Sequence, residues 1–455
     1  MVKIGLEVHG YIVSNEKLFC KCPANYKTGA KPNTNICPIC TGYPGSKPML
    51  PNEEAFKKIV AIALMLGCKI SESCLKWQRK HYDWPDLPKG YQDTISGAYA
   101  IPVGENGNFL GIRIREVHLE EDPAKWDPAT GYIDFNRCGL PLVEIVTEPD
   151  FKSSGEAREW LKKLITTLSY IKALEKDAGI KADVNVSTSG ERVEIKNVNS
   201  FESIVKAIEY EIKRQEKETS SGNKIKMETR AFDDKKGTTI LMREKEGQAD
   251  YRFIPDPDLP VIGIKKELVN EMQKNLPERP HEKTERFVKE HEIEKEIAEI
   301  LSKNREIAEF YEEILKFGIE KKLASYWVVI ELIRVLNWNK KSLEDVDIKA
   351  EHFAELLKLV QEKKITETAA KNLLNEFVPK SFPPKDKLKH IEKISDEKEI
   401  ENICKEVIAK NSKAVQDYKN GGQKALDFLI GQVMAATRGR ADNKITREVI
   451  IKLIS

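Results

Sequence analysis

The chain lacks any long apolar segment. Its longest uninterrupted apolar run, residues 59–66, is eight residues long, whereas a membrane-spanning helix requires about twenty. The residues after Met1 enter a strand-like alternation almost at once, so we expect no secretory leader. We therefore expect a cytoplasmic protein that is neither secreted nor embedded in a membrane.

Common catalytic motifs are missing as well. The sequence contains neither a G-x-x-x-x-G-K-[ST] phosphate loop nor a G-x-G-x-x-G fingerprint after a strand. The nearest approach to a nucleophile motif, Ser220-Ser221-Gly222, lies in a polar Lys/Glu-rich stretch with no base pattern near it. No motif therefore indicates an independent hydrolytic nucleophile.

Net charge is small, at +2 with 33% charged residues, so the surface is dense in both signs. A near-neutral total does not exclude nucleic-acid binding, because such binding needs only a local basic patch. The last 51 residues hold ten Lys or Arg and five Asp or Glu, a net charge of +5. That segment is the most basic candidate for contact with a polyanion.

Half of the eight cysteines lie together, in the loop of residues 20–40. Cys20 and Cys22 form one close pair, and Cys37 and Cys40 form another. Four soft thiolates in two pairs suit tetrahedral zinc, and the site would be structural because no coordination position stays open. The alternative is four buried free thiols, and the C-x-C spacing of the first pair is less common than C-x-x-C. In a cytosolic chain the pattern favours zinc.

Three patterns divide the chain. Residues 1–280 combine short alternating segments, turn residues and a few helices, which indicates a large sheet-containing domain. Residues 281–383 are helix-periodic and rich in Lys and Glu, and residues 384–455 form a small helical tail. Between these two, the Pro-rich residues 379–384 are typical of a hinge or linker. The fold class is therefore α+β, with a sheet-containing N-terminal domain, an all-α helical domain and an all-α tail domain.

Near the start of the chain, Ile4, Leu6 and Val8 alternate with Glu7 and His9. A strand has a period of two residues, so Glu7 and His9 share one face. About a hundred residues later the chain carries the adjacent acids 120–122, which are costly to hold together unless they are solvated, paired or bound to metal. These segments predict a site for a hard cation.

Two further segments carry chemistry-bearing side chains. The stiff loop of residues 79–92 presents Arg, Lys, Tyr and Gln, which suits phosphate, ribose or base recognition, although an ordinary structured loop is an equal alternative. A predicted hairpin carries Asp183, Asn185, Glu194 and Lys196 on its polar face. Alone, that face is better interpreted as solvated; beside a cation site it could supply further ligands.

Several motifs, in this order, resemble a known family over essentially the whole chain. They are Gly5-Leu6-Glu7-Val8-His9, the four cysteines, Arg79-Lys80 with Pro85 to Gln92, His118 to Asp122, Asn136 to Asp150, Asp183 to Ser187, Asn199-Ser200-Phe201, Tyr210 to Gln215, Asp250 to Pro260 and Gly431 to Met434. The family is the GatB family, the B subunit of the aspartyl/glutamyl-tRNA(Asn/Gln) amidotransferase.

The resemblance implies an ATP-dependent carbon–nitrogen ligase that uses glutamine as amido donor. A protein of this family binds misacylated Asp-tRNA(Asn) or Glu-tRNA(Gln), phosphorylates the side-chain carboxylate with ATP, and amidates it with ammonia. The implied partners are an amidase-type glutaminase subunit (A) and a small subunit (C) in a heterotrimer, the tRNA, and as a further candidate the non-discriminating aminoacyl-tRNA synthetase. The sheet-containing domain corresponds to the family's catalytic cradle, and the tail to its YqeY-like tRNA-binding domain.

With the resemblance, the polar residues acquire expected roles and the implied cofactors are ATP, Mg²⁺ and structural Zn²⁺. Phosphoryl transfer to a carboxylate requires positioning and neutralisation of charge. We expect magnesium at Glu7, His9, Glu121 and Asp183, with the choice between Glu120 and Glu121 open. Catalytic roles fall to Glu7, His9, Glu120, Glu121, Arg79 and Lys80, and cofactor binding to Lys89, Arg252, Asp183 and Asn185. Histidine is an unusual magnesium ligand, so His9 acts either through water or by holding a carboxylate.

Two alternatives remain. The E subunit of the two-subunit Glu-tRNA(Gln) amidotransferase shares the N-terminal domain, but it carries an inserted domain for which 455 residues leave no room. A zinc-containing tRNA-binding protein without catalysis would need basic and aromatic residues rather than clustered acids.

Overall fold

The computed structural model describes residues 2–24, 29–97, 99–174, 181–244, 252–394 and 396–454. Part of the cysteine loop (25–28) and the residues Asp250 and Tyr251 of one family-like motif lie outside these ranges. The chain forms two compact units, Met1–Arg279 and Pro280–Ser455, and the two are described separately here.

The first unit contains the strands and the first four helices. The strands are β1 (Lys3–Tyr11), β2 (Lys69–Ile70), β3 (Gln78–His81), β4 (Gln92–Thr94), β5 (Gly104–Phe109), β6 (Ile112–Glu121), β7 (Lys125–Trp126), β8 (Ile133–Asp134), β9 (Pro141–Thr147), β10 (Lys181–Ser187), β11 (Val193–Val198), β12 (Glu228–Asp233), β13 (Thr238–Glu244) and β14 (Arg252–Pro255). The helices are α1 (Glu53–Met65), α2 (Ser154–Tyr170), α3 (Phe201–Ser220) and α4 (Lys266–Asn275).

Twelve strands of the described residues form one sheet, in the order β13-β12-β11-β10-β1-β9-β6-β4-β3-β14, with β5 beside β6 and β2 beside β5. Strand β1 is central and pairs antiparallel with β10 on one side and β9 on the other. Strands β7 and β8 form a separate hairpin. The sheet-containing domain predicted from the short alternating segments is therefore confirmed.

The two faces of the sheet differ in polarity. Ile4, Leu6 and Val8 of β1 are buried in a core that also contains residues of α1, α2 and α3. Because side chains alternate along a strand, Glu7 and His9 project from the opposite face. The helices thus cover the apolar face, and the polar face carries the charged side chains.

Side-chain caps fix the start of the first three helices. The Asn52 side chain accepts a hydrogen bond from the Ala55 amide at 3.0 Å, which satisfies a free N–H of the first turn. Ser153 and Ser200 cap α2 and α3 in the same manner. At the other end of α1, Gly67 has a φ of +71°, a left-handed conformation that glycine adopts at little cost.

The second unit is helical in its described residues. Its helices are α5 (Pro280–His291), α6 (Lys295–Leu301), α7 (Arg305–Leu315), α8 (Lys321–Tyr326), α9 (Ile333–Trp338), α10 (Ala350–Gln361), α11 (Glu367–Asn375), α12 (Leu388–Ile391), α13 (Glu397–Lys410), α14 (Ser412–Lys419), α15 (Gln423–Ala436) and α16 (Asn443–Ile454). A π-helical segment, Trp327–Leu332, joins α8 to α9, and short 3-10 turns lie at Leu343–Asp345 and Pro384–Lys387. Among the helices described, none is both long enough and apolar enough to cross a bilayer.

The interpretation of residues 379–384 as a hinge or linker is wrong. Ser381 is buried, and its amide donates to the Asp347 carbonyl at 2.9 Å. The Phe382 ring packs edge-on against Phe377, with 5.4 Å between the ring centroids. The segment therefore packs against the helical core through Ser381, Phe382 and Pro384, and it is not a free linker. Separate apolar cores form before residue 392 and after residue 393, and the division into domains at residues 383/384 stays a prediction.

Candidate active site

Five neighbouring strands place carboxylates on the polar face of the sheet. In the strand register, Glu7 lies opposite Asp183, and His9 lies opposite Glu144. Glu144 in turn lies opposite His118 of β6. Glu120, two residues beyond His118 on β6, shares its face. The register of an antiparallel sheet thus gathers groups that are widely separated in sequence.

The first cluster consists of His9, Glu120 and Glu144, whose ligand atoms all lie within 4.8 Å of one another. His9 Nε2 is 4.0 Å from Glu120 Oε1. Burial raises the pKa of Glu120, and the positive charges of Lys80 and His9 oppose that shift. Burial also acts to raise the pKa of Glu144, but the charges of His9 and Lys80 outweigh it and lower the pKa. A cation could therefore find at least one ionised carboxylate in this cluster.

The second cluster consists of Glu7, Asp183 and Glu194, again within 4.8 Å of one another. Lys196 forms ion pairs with Asp183 at 2.9 Å and with Glu194 at 2.6 Å. Burial raises the pKa of Glu7, and the nearby charges of Glu144, Glu194 and Asp183 raise it further. Because Glu144 acts on Glu7, the two clusters are electrostatic neighbours along β1.

Unpaired buried oxygens support a cation at both clusters. Glu120 is only 3% exposed, and its Oε2 has no hydrogen-bond partner among the described residues. Asn185 donates through Nδ2 to Glu7 Oε1 at 3.0 Å, while its buried Oδ1 lacks a partner in the described part of the chain. Buried polar atoms are normally paired, and oxygen ligands are those that magnesium prefers. The residues present therefore fit a divalent cation.

The structure does not bring the whole predicted magnesium set to one point. Glu121 follows Glu120 on β6, so it lies on the opposite face of the sheet. There its carboxylate pairs with the buried Lys89 ammonium and accepts a hydrogen bond from the Asp93 amide at 3.0 Å. Lys89 also pairs with the Asp93 carboxylate at 2.5 Å. Glu121 and Lys89 thus neutralise each other away from the two acidic clusters.

Of the predicted basic residues, Lys80 and Arg79 lie on opposite faces of β3 because they are adjacent in the strand. Lys80 influences both Glu120 and Glu144. The Arg79 guanidinium instead pairs with Asp256 at 2.7 Å and Asp258 at 2.9 Å. Lys80 is therefore better placed than Arg79 to meet a phosphate bound at the clusters.

Arg252 is exposed in the edge strand β14. Its register partner is His81, whereas Lys80 pairs with Phe253. Arg252 therefore lies on the face that Arg79 and His81 share. Its assignment to cofactor binding stays a prediction that the geometry does not favour.

Sequence reasoning missed Glu144 as a member of the site. The segment Leu142-Val143-Glu144-Ile145-Val146 holds a single acid within an otherwise apolar strand, and an isolated charge in such a run is a usable signal. Glu194 was recognised only as part of a polar hairpin face. Its approach to Glu7 depends on the β1–β10–β11 register, which no local pattern reveals.

The four cysteines of the loop converge as predicted. Cys20, Cys22, Cys37 and Cys40 place their sulfur atoms within 4.8 Å of one another. The Cys37 amide donates to Cys40 Sγ at 3.2 Å, a contact that favours a thiolate. A hydrogen bond from Cys20 lowers the pKa of Cys40 to about 5, although burial opposes the shift. The donor set therefore suits a thiophilic metal such as zinc.

Comparison with known proteins gives matches along the chain. A family model described as the GatB/GatE catalytic domain matches residues 2–270, and one described as the GatB domain matches residues 309–454. The B subunit of the aspartyl/glutamyl-tRNA(Asn/Gln) amidotransferase from Methanopyrus kandleri is 44% identical over 99% of this chain and 98% of the relative. The protein of the same name from Methanocaldococcus jannaschii is also 44% identical, over 99% of this chain and 97% of the relative.

Proposed function

The chain belongs to the GatB family of tRNA-dependent amidotransferase subunits, and from this premise we propose what its residues do. It binds misacylated Asp-tRNA(Asn) or Glu-tRNA(Gln) in the cytoplasm and activates the side-chain carboxylate with ATP to an acyl phosphate. Ammonia then displaces phosphate to give the amide. In its assembly an amidase-type glutaminase subunit supplies the ammonia from glutamine, and a small third subunit completes a heterotrimer.

The pair of acidic clusters along β1 is the observation that supports this proposal best. Magnesium, when bound there, would neutralise the phosphates of ATP. Glu120 and Glu144 with His9 would hold one cation, and Glu7 and Asp183 would contribute to a second. Because strands rather than loops carry these side chains, their spacing is fixed before substrate arrives, which suits a reaction dominated by positioning.

Lysines at the rim of the clusters complete the proposed site. Lys80 lies near Glu120 and Glu144, and Lys196 pairs with Asp183 and Glu194. Both could exchange a carboxylate for a phosphate or for the aminoacyl carboxylate of the tRNA. Such an exchange adds donors where negative charge develops in the transition state.

Zinc in this proposal is structural and occupies the cluster of four cysteines. It closes the loop of residues 20–40, and it takes no part in the reaction because four thiolates leave no position for substrate. Metal analysis of freshly purified protein, expected to give about one zinc per chain for a four-thiolate site, tests the assignment.

The experiment that tests the function uses the chain co-purified with its partner subunits. Amide formation is measured separately on Asp-tRNA(Asn) and on Glu-tRNA(Gln), with ATP, magnesium and either glutamine or ammonium as donor. We expect amidation of at least one tRNA with both donors, and none without ATP. Failure of ammonium to support ATP-dependent amidation of either tRNA would contradict the proposal.

The alternatives predict other outcomes. Binding of tRNA without ATP-dependent amidation in the reconstituted complex would favour a non-catalytic zinc-containing tRNA-binding protein. The E subunit of a two-subunit enzyme is disfavoured, because the two GatB relatives match 97–98% of their own length to this chain. Formation of a complete enzyme with a single partner chain would reverse that preference.

A further inference from the structure

A lysine lies buried beside the sulfur cluster. Lys17 is 1% exposed, and its Nζ is 3.6 Å from Cys40 Sγ and 3.3 Å from the Phe135 carbonyl oxygen. Among the described residues it forms no ion pair with a carboxylate. A lysine this deeply buried normally requires a negative partner, and the nearest candidate is the thiolate of Cys40.

The backbone fixes Lys17 in this position from both sides. Its amide donates to the Cys22 carbonyl at 3.0 Å, and the next amide, of Leu18, donates to the Gly139 carbonyl at 2.8 Å. Gly139 lies beside the lysine stem, because a Cβ added there would be in ordinary van der Waals contact with Lys17 Cδ at 3.6 Å. Lys17 therefore lies where the cysteine loop meets the segment that enters β9.

Charge explains why a cation belongs there. Zinc bound by four thiolates retains two formal negative charges, since four anions outweigh one dication. Burying that charge is costly unless a cation lies nearby, and an ammonium in contact with one sulfur lowers the cost. Without metal, the ammonium faces the Cys40 thiolate alone, so the cluster holds less negative charge for it to balance.

We propose that Lys17 is the internal counter-ion of the zinc–thiolate centre and that zinc affinity depends on its charge. Lys17 acts through Cys40 and the Phe135 carbonyl, so it is a positioning residue rather than a metal ligand. The inference rests on the zinc site of the proposed function, and it is independent of whether the chain amidates tRNA. Lys17 thereby links the charge of the cysteine loop to the sheet, because its backbone is hydrogen-bonded to the segment that enters β9.

The test compares full-length Lys17→Met and Lys17→Gln with a matched control, Lys21→Met. Lys21 lies in the same loop, but its side chain is 69% exposed and pairs with Glu16 at 2.7 Å. Zinc affinity is measured by competition with a chromophoric chelator. We expect both Lys17 variants to bind zinc about 10- to 100-fold more weakly, the range seen when partners of metal ligands are removed, and the control to bind like the unmodified chain.

Thermal unfolding separates a charge effect from simple loss of packing. With excess zinc, Lys17→Met is expected to lower Tm, whereas in chelator the loss of Tm should be smaller, because the metal-free cluster holds less negative charge for the ammonium to balance. An equal loss of Tm in both conditions would overturn the proposal, and so would unchanged zinc affinity in both Lys17 variants. If the unmodified chain binds no zinc, both the zinc site and this inference fall, whereas absent tRNA amidation would leave the inference standing.

Discussion

At the scale of single residues, strand alternation on β6 selects which of two glutamates joins the acidic cluster. Glu120 and Glu121 are adjacent and chemically alike, yet strand alternation places them on opposite faces. The sequence predicted a cation site from this run and left the choice between the two glutamates open. The choice depends on the register between β6 and β9, which brings Glu120 near His9 and Glu144. Such a pairing of distant strands cannot be obtained from local periodicity.

The two glutamates give the first prediction. Glu120→Gln removes a charged ligand oxygen, so we expect ammonium-supported amidation to fall by about 100-fold, with a higher magnesium requirement. Glu121→Gln leaves the clusters intact, and should keep the magnesium dependence while lowering Tm because Lys89 loses a partner. Titration of activity against magnesium for both variants checks this. A normal magnesium requirement in Glu120→Gln would exclude it as a ligand.

Arg79 gives the second prediction. Burial acts to raise the pKa of Asp256, but the hydrogen bonds from Arg79, Asp93 and the Asp258 amide, together with the charge of Arg79, outweigh it, and the pKa lies below its ordinary value. A depressed pKa means that Asp256 contributes stability above the unfolded-state pKa and loses it as pH falls through the folded-state pKa. Arg79→Gln leaves Asp256 buried without its cation, so we expect a loss of about 3 kcal/mol near neutral pH.

Chemical unfolding at a series of pH values, from neutral to below the ordinary pKa of an aspartate, checks this. The deficit of Arg79→Gln should shrink as pH falls, because a protonated Asp256 no longer needs the guanidinium. Lys47→Met is the control, since Lys47 pairs with Asp258 from an exposed position at 2.6 Å. A pH-independent deficit would show that Arg79 stabilises by packing alone.

At the scale of elements, alternation was sufficient to predict strand β1 and the hairpin of β10 and β11. Helix α1 begins at an Asn52 cap and is followed by Gly67 in a left-handed conformation. The prolines of residues 379–384 led to the wrong prediction of a hinge or linker, because proline occurs in flexible linkers and also in rigid packed turns. Only the contacts of Ser381 and Phe382 separate the two.

The cap of α1 gives the third prediction. Asn52 accepts from Ala55 and also donates to the Ser14 hydroxyl at 3.0 Å. Asn52→Ala should cost about 1–2 kcal/mol in the free energy of unfolding, and local opening should rise in α1. Asn52→Asp keeps the acceptor for Ala55 and should lose less. Hydrogen exchange of the α1 amides checks this, and equal exchange in all three proteins would contradict a capping role.

At the scale of the whole molecule, the distribution of charge, rather than its total, predicts a surface for a polyanion. The tail contains a groove of about 590 Å³ whose lining includes Lys410, Lys413, Lys424 and the half-exposed Phe428. Lysines beside an exposed ring suit a nucleic-acid backbone and its bases. Composition predicts that a partner of the tail is negatively charged. It does not predict the groove, because the groove forms only when α14 packs against α15.

Removal of the tail gives the fourth prediction. The chain is cut after Glu392, because Leu388 and Ile391 pack against the core of the helical part. The shortened protein should bind tRNA more weakly, by at least about 10-fold if several phosphate contacts are lost, while ammonia-dependent ATP hydrolysis persists. The double variant Lys413→Glu/Lys424→Glu should reproduce the weakening within the full-length chain. Unchanged tRNA affinity in both proteins would exclude the tail as a binding surface.

Strand β1 builds the site with one set of side chains and the core with the other. Substitutions and deletions in this strand should therefore differ sharply in their consequences. Replacing Leu6 by another aliphatic residue changes packing by a modest amount, and Glu7 stays in place. Deleting Leu6 shifts every later side chain of the strand to the other face, so that Glu7 and His9 enter the apolar core and Val8 enters the site. The register of β1 is thus a structural constraint in its own right. Insertions and deletions of single residues should be tolerated in loops but not in this strand.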